Sequence, residues 1–382
     1  MTERAERLRR EIAAAKCIVI KIGSALLTDL ETGLSYERLA GWCDQIHGLI
    51  QQDRQVLVVS SGAVAEGVNR LKLGSRPTSV HELQAAAAVG QMGLIHAYQR
   101  AFAANDRLTA LVLLTHDDLA NRQRYLNARA TLTTLLKLGV VPIVNENDSV
   151  ATDEIRFGDN DTLAALVVNL LQADLMIVLT DTDGLHESDP RQNPTAPIVP
   201  FADASDERLD SMAGIGASSL GRGGMITKVQ AARLAAHSGS HTVIANGGET
   251  QVLTRILAGE PLGTLLAASV TPLDARKRWI AGQLKAKGEL RLDAGAVDAL
   301  RRKGVSLLPV GVVAVQGEFA RGDMVRCVDE AGGLMAQGLA NYGSVDASKL
   351  IGANSNEISE RLGYCLEPEL IHRDNLVLLN GS

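Results

Sequence analysis

Aromatic residues are scarce: two Trp, five Tyr and four Phe make up 3% of the 382 residues. Cores in this chain must therefore be built from Leu, Val, Ile and Ala. Cysteine is scarcer still. Cys17, Cys43, Cys327 and Cys365 lie far apart and form no CxxC, which disfavours a zinc ribbon or a thioredoxin-like motif. Positive charge is not in excess. A net charge of -6 argues against a chain-wide nucleic-acid or membrane footprint, so any anion site must be local. No apolar run approaches a membrane span. The first fifteen residues are charged and helical in pattern, without the apolar stretch of a secretory leader. A soluble, reducing, cytoplasmic setting is the expectation.

What is present is apolar and alternating. The chain is 46% hydrophobic and long for one domain, which points to two. From Cys17 to about Gly263 the runs CIVIKI, QVLVVSSG, LTALVLLT, VVPIVNEND, DLMIVLTD and HTVIANG read as strands. They are nearly continuous in Val, Ile and Leu, as parallel strands buried on both faces are. Helix candidates fall between them, at residues 36–53, 79–104, 121–138, 161–171 and 227–237. This is the pattern of an α/β domain with a mostly parallel central sheet. After Pro272 and the charged run Arg276-Lys277-Arg278 the strands shorten and glycine recurs, as in a small antiparallel barrel or sandwich with one helix near residues 344–351. The expected division is an N-terminal extension at 1–15, a first domain at 16–265, a linker at 266–277, a second domain at 278–374 and a tail at 375–382.

Ligands in open α/β sheets bind outside the carboxyl ends of the strands. Those ends read Lys21-Ile22-Gly23-Ser24, Ser60-Ser61-Gly62-Ala63, Asn145-Glu146-Asn147-Asp148 and Thr180-Asp181-Thr182-Asp183-Gly184. One polar tip is an ordinary turn; four on one sheet edge form a site. A lysine ending a buried strand needs an anion. Ser61-Gly62 opens a helix whose backbone N–H groups suit a carboxylate or a phosphate. GRGGMITK, residues 221–228, is a glycine-rich loop running into a helix, with Lys228 adding charge. It matches neither the Walker A pattern nor G-x-G-x-x-G, and alone it reads equally as a surface loop. In FGDNDTLAALV, residues 157–167, the polar run Asp159-Asn160-Asp161 starts an apolar helix. Capping accounts for one of the three; a carboxylate orienting the two lysines accounts for more. His237 and His241 have metal-like spacing, but the intervening Ser-Gly-Ser breaks the helix.

Seven blocks resemble, in order, the bacterial glutamate 5-kinases of the amino acid kinase family: IVIKIGSALLTD, VVSSGAVAEG, LQAAAAVGQ, RYLNARATL, VPIVNENDSVATDEIRFGDND, VLTDTDGLHESDPR and GGMITKVQAA. ARKRWI, LLPVGV, FARGDMV and IHRD continue the resemblance into the C-terminal PUA domain that many of these enzymes carry. The resemblance implies a three-layer amino acid kinase fold with a small β-barrel-like PUA domain. It implies phosphorylation of the γ-carboxylate of L-glutamate, the first step of proline biosynthesis, with ATP and Mg²⁺ as cofactors. The metal is carried by ATP and has no protein site of its own.

By motif, the resemblance makes Lys21, Lys228 and Asp161 catalytic and places Ser61, Gly62, Asp148 and Asn160 at the glutamate. Lys21, Gly23, Ser24, Thr180 and Asp181, with the loop Arg222, Gly223, Gly224, Met225, Ile226, Thr227 and Lys228, fall at the nucleotide. Arg222 stands where the family's loop carries a small hydroxyl residue. Feedback inhibition by L-proline, a dimeric or tetrameric homo-oligomer and contact with glutamate-5-semialdehyde dehydrogenase are further implications. The nearest rivals are kinases acting on acetylglutamate, aspartate or carbamate; the NEND and GDND blocks and the second domain favour glutamate. RNA binding through residues 276–382 is disfavoured, because acidic residues nearly offset basic ones and Trp279, Phe319, Tyr342 and Tyr364 are the few stacking candidates.

Overall fold

The apolar runs form one eight-stranded sheet: β1 (Cys17–Ile22), β2 (Gln55–Ser60), β3 (Thr109–Leu114), β4 (Val141–Glu146), β5 (Leu175–Thr180), β6 (Phe201–Asp203), β7 (His241–Asn246) and β8 (Thr264–Ala267). The computed structural model describes residues 3–29, 33–150, 160–214, 224–269 and 286–378. The strand order is β3-β4-β2-β1-β5-β7-β8-β6. All pairs are parallel except β8 with β7. From β1 the chain builds outward through β2 to one edge, then returns through β5 to build toward the other. The switch therefore lies between β1 and β5, and their carboxyl ends flank a crevice.

Register and pleat decide what enters that crevice. Lys21, one residue short of the end of β1, pairs with Val59 on β2 and Val178 on β5. Successive side chains alternate in face. Ile18, Ile20 and Ile22 join one core layer with Trp42, Ile46, Leu94 and Tyr98. Those four come from α2 (Tyr36–Ile50) and α4 (Val80–Ala103). Lys21 falls on the opposite face, where α6 (Asn160–Leu171) packs on β1 and α7 (Met225–Ala236) packs on α6. Other helices include α1 (Glu3–Ala13), α3 (Ala63–Arg70) and α5 (Arg122–Lys137).

Two glycines bring α3 and α4 together. A Cβ on Gly67 would stand 1.7 Å from the Ala86 carbonyl oxygen, and one on Gly90 would stand 1.8 Å from that of Ala63. The two helix backbones therefore touch, and the contact holds the start of α3 over the tip of β2. Gly62 caps α3 in the left-handed region, at φ 99°, which a side chain disfavours.

The chain divides into two units, residues 1–120 with 127–272, and 121–126 with 273–382. The first departs from the sequence expectation at both ends. The N-terminal helix is docked rather than a surface extension: Leu8 and Ile12 are buried in the main core. Arg9, also buried, donates to the Glu260, Leu262 and Pro200 carbonyls. At the other end, β8 crosses the boundary expected at 265. Strands β6 and β8 are three and four residues long, too short to show a period.

The second unit is a five-stranded mixed sheet rather than a purely antiparallel one. Its strands are β9 (Gly288–Leu292), β10 (Val312–Gly317), β11 (Met324–Val328), β12 (Leu334–Leu339) and β13 (Leu376–Leu378), ordered β10-β9-β11-β12-β13. Strand β9 runs parallel to β11. Between β9 and β10 lies α8 (Ala294–Lys303), a helix the sequence reading missed. Its start was signalled by Asp293, whose carboxylate accepts from the Ala296 N–H at 2.7 Å. Strand β13 occupies the segment expected to be a tail. Leu290, Leu307, Phe319 and Tyr342 centre this unit's own core.

The helix contact makes a prediction with an internal control. Gly90→Ala is expected to destabilise the fold by roughly 2–3 kcal/mol, as overpacking does. Gly41→Ala, on the exposed face of α2 with nothing within 4 Å of a new Cβ, should instead stabilise by up to about 1 kcal/mol. Urea midpoints of the two variants measure both; equal effects would mean that α3 and α4 are not in backbone contact.

Candidate active site

Three elements converge on one carboxylate. Lys21 comes from β1, Asp161 from the second position of α6, and Lys228 from the first turns of α7. Lys21 Nζ stands 2.6 Å from Asp161 Oδ1, and Lys228 Nζ stands 3.2 Å from Oδ2. The Thr227 hydroxyl lies 2.7 Å from the same Oδ2. Asp161 is 1% exposed, Lys21 5% and Lys228 4%.

Burial by itself would raise the Asp161 pKa. Lys21 and Lys228, with the Thr227 hydroxyl, more than reverse this and hold it down at about 2. Burial pulls the Lys228 ammonium below its ordinary value, with Asp161 pushing back. Two ammonium groups meet one carboxylate here and both line the wall, a surface suited to an anion.

That wall belongs to a cavity of about 830 Å³, large enough for two small substrates. Lys21, Ser61, Asp148, Asn160, Thr180 and Lys228 all line it. Beside the lysines runs a neutral amide network. Asn160 Nδ2 lies within hydrogen-bond reach of the Ser60 carbonyl (2.6 Å), Asn145 Oδ1 (2.8 Å) and Ser61 Oγ (3.1 Å). Asn145 Nδ2 donates onward to Gln91 Oε1 at 2.7 Å.

Comparison with known proteins adds the family. The amino acid kinase family model matches residues 16–246, and the PUA domain model matches residues 288–362. The glutamate 5-kinase of Methylococcus capsulatus is 57% identical over 370 residues, 97% of this chain and 99% of that one. The glutamate 5-kinase of Stutzerimonas stutzeri is 57% identical over 372 residues, 97% of this chain and all of that one. The chain belongs to the glutamate 5-kinases of the amino acid kinase family. Among solved structures, the UMP kinase of Bacillus anthracis aligns at 18% identity with a TM-score of 0.47, over 67% of this chain and 97% of that one.

Most residues expected from the glutamate 5-kinase resemblance meet at this cavity. Gly23, Ser24, Gly62 and Asp181 line it beside those already named. Asp161 does not reach the wall; it lies behind the two lysines. Thr227 is half-buried beside Asp161, and Met225 and Ile226 are half-buried in the same turn of α7. None of these three lines the cavity. Gly224 is exposed at the cap of α7. Arg222 and Gly223, like Asp159, fall outside the described residues. The Gly23 N–H already donates to the Leu179 carbonyl at 3.2 Å, so it stitches β1 to β5 instead of facing a ligand. Two residues given no individual role from the sequence, Asn145 and Gln91, carry the amide network. Asn145 was signalled by the polar NEND tip; Gln91 was hidden inside an alanine-rich helix.

The depressed pKa fixes a sign. Asp161 ionises more readily in the folded chain than at its ordinary 3.8. Its contribution is therefore full above that value and is lost as pH falls through about 2. Between pH 5 and pH 3 the wild type is expected to lose about 1 kcal/mol more stability than Asp161→Asn. Urea midpoints at the two pH values measure it. Parallel slopes would mean that the carboxylate is not held down by the lysines.

Proposed function

We propose that this chain transfers the γ-phosphoryl group of ATP to the γ-carboxylate of L-glutamate, forming L-glutamyl 5-phosphate, the first step of proline biosynthesis. The observation that carries this is the near-full-length identity with glutamate 5-kinases, met by two buried lysines on one carboxylate at the cavity wall.

The chemistry asks little of the protein beyond position and charge. A glutamate side chain has a pKa of about 4.3 and is already ionised at neutral pH. A carboxylate oxygen attacks the γ-phosphorus, the bond from phosphorus to the bridging oxygen breaks, and ADP leaves with that bond's electron pair on the bridging oxygen. No general base is required. Charge gathers on the transferring group, and fixed cations stabilise it without reorganising.

In this reading Lys21 meets the phosphoryl group from one side and Lys228 meets the nucleotide's phosphates from the other. Asp161 acts through them, fixing both ammonium groups before substrate arrives. Asp148 would pair with the substrate ammonium, and Ser61, Gly62 and Asn160 would contact the amino acid beside it. Thr180 and Asp181, at the tip of β5, lie on the nucleotide side with the start of α7. Among the described residues no three His, Cys, Asp or Glu side chains gather as a metal site. In this proposal Mg²⁺ would be held by the nucleotide's own phosphates, where it would neutralise charge. Inhibition by L-proline at the glutamate pocket, a homo-oligomeric state, contact with glutamate-5-semialdehyde dehydrogenase and a cytoplasmic setting are parts of the same proposal. Among the described residues no helix is long and apolar enough to cross a membrane.

Trapping the acyl phosphate with hydroxylamine tests the reaction. With ATP and Mg²⁺, L-glutamate should give hydroxamate, L-proline should suppress it, and N-acetylglutamate and L-aspartate should give none. Product from another acid would move the substrate assignment while keeping the site. Lys21→Ala and Lys228→Ala should each lower kcat by about 10²–10³; a near-normal kcat in a folded variant would remove that lysine from the mechanism.

A further inference from the structure

We propose that Gln91 is a positioning residue for amino-acid recognition: it sets the orientation of the Asn145 amide, and through it that of Asn160. The inference rests on the glutamate-kinase reading and extends it to a side chain that does not line the cavity.

The orientation of each amide is forced. The Ser60 carbonyl can only accept, so the group of Asn160 facing it at 2.6 Å must be the NH₂. The Glu146 N–H can only donate, so the group of Asn145 facing it at 2.9 Å must be the oxygen. That same oxygen accepts from Asn160 Nδ2 at 2.8 Å. The Asn145 NH₂ is therefore turned away, toward Gln91 Oε1 at 2.7 Å. Asn145 is 1% exposed and Gln91 8%, so water offers the Asn145 NH₂ little alternative.

Two consequences meet at the substrate. Asn160 has committed its NH₂ inward and lines the cavity. Its carbonyl oxygen makes no hydrogen bond among the described residues, and it is not among the buried polar atoms left without a partner. It is an acceptor presented to a ligand, and the ligand group it fits is a donor such as an ammonium. Gln91 contributes only as an acceptor, because its own Nε2 is buried without a hydrogen-bond partner among the described residues. Replacing that NH₂ by oxygen keeps the acceptor, because a carboxyl group buried there is driven to its neutral form, whose carbonyl oxygen still accepts. Removing the acceptor should leave the Asn145 NH₂ buried and unmet, and its relief, by rotating Asn145 or admitting water, disturbs Asn160.

The test uses the full chain with two near-isosteric variants at Gln91 and a double variant. Gln91→Met is expected to raise KM for L-glutamate about tenfold, the scale of one buried hydrogen bond, with KM for ATP unchanged. Gln91→Glu, which keeps the acceptor, should return KM for L-glutamate to within twofold of wild type. In an Asn145→Ala background, Gln91→Met should add nothing. Should Gln91→Met not fold, Gln91→Asn, which withdraws the acceptor by one methylene, takes its place with the same expectation. A KM for L-glutamate unmoved by the loss of the acceptor would overturn the proposal. So would damage from Gln91→Glu equal to that from Gln91→Met, or equal shifts for both substrates. If the wild type itself does not turn over L-glutamate, the reading beneath the proposal falls and the proposal falls with it. Turnover by the wild type with indifferent variants would sink the proposal alone.

Discussion

The site depends on one carboxylate held between two buried ammonium groups. Asp161 at 1% exposure would be costly alone, and so would either lysine. Together they are tolerated because each satisfies another. The arrangement also sets the fold's tolerances. Strand β1 must end where Lys21 can reach, α6 must begin with Asp161, and α7 must enter so that Lys228 comes from the far side. The parallel sheet supplies this by placing the switch point between β1 and β5.

The two halves of the cavity are built by different physics. Around Lys21 and Lys228 the groups are charged and fixed by ion pairs. Around Asn160 they are amides and hydroxyls fixed by hydrogen bonds to backbone and to one another. The second half depends on the position of α3, which is set by glycine. Gly67 and Gly90 remove the side chains that would hold α3 away from α4, and Tyr98 on α4 reaches back to the Ser60 hydroxyl at 3.0 Å. The same helix carries Gln91. One packing contact therefore places both the backbone turn at Ser61-Gly62 and the amide network behind it.

Much of this was legible in the sequence because parallel strands buried on both faces announce themselves, and their polar ends must gather on one edge. The six long strands and the convergence of Lys21, Ser61, Asp148 and Thr180 follow from that, whereas Asn160, at a helix start, was expected from the family resemblance. Asp161 was ambiguous because a helix cap and an orienting carboxylate use the same residue type at the same position. Helix α1 was misjudged because its charges conceal Leu8 and Ile12, and because Arg9 is buried by accepting carbonyls that no local pattern reveals. Strands β6 and β8 are too short for periodicity. Gln91 was invisible because its meaning lies in one hydrogen bond, accepted from Asn145 on β4, far away in the sequence.

The most direct measurement is the steady-state kinetics of Asp161→Asn with both lysines intact. If Asp161 acts by holding Lys21 and Lys228 for the transferring group, kcat should fall by about 10² or more, while KM for ATP and for L-glutamate stays within a few-fold of wild type. A near-normal kcat, or a loss confined to KM, would contradict the account and make Asp161 a structural or binding residue.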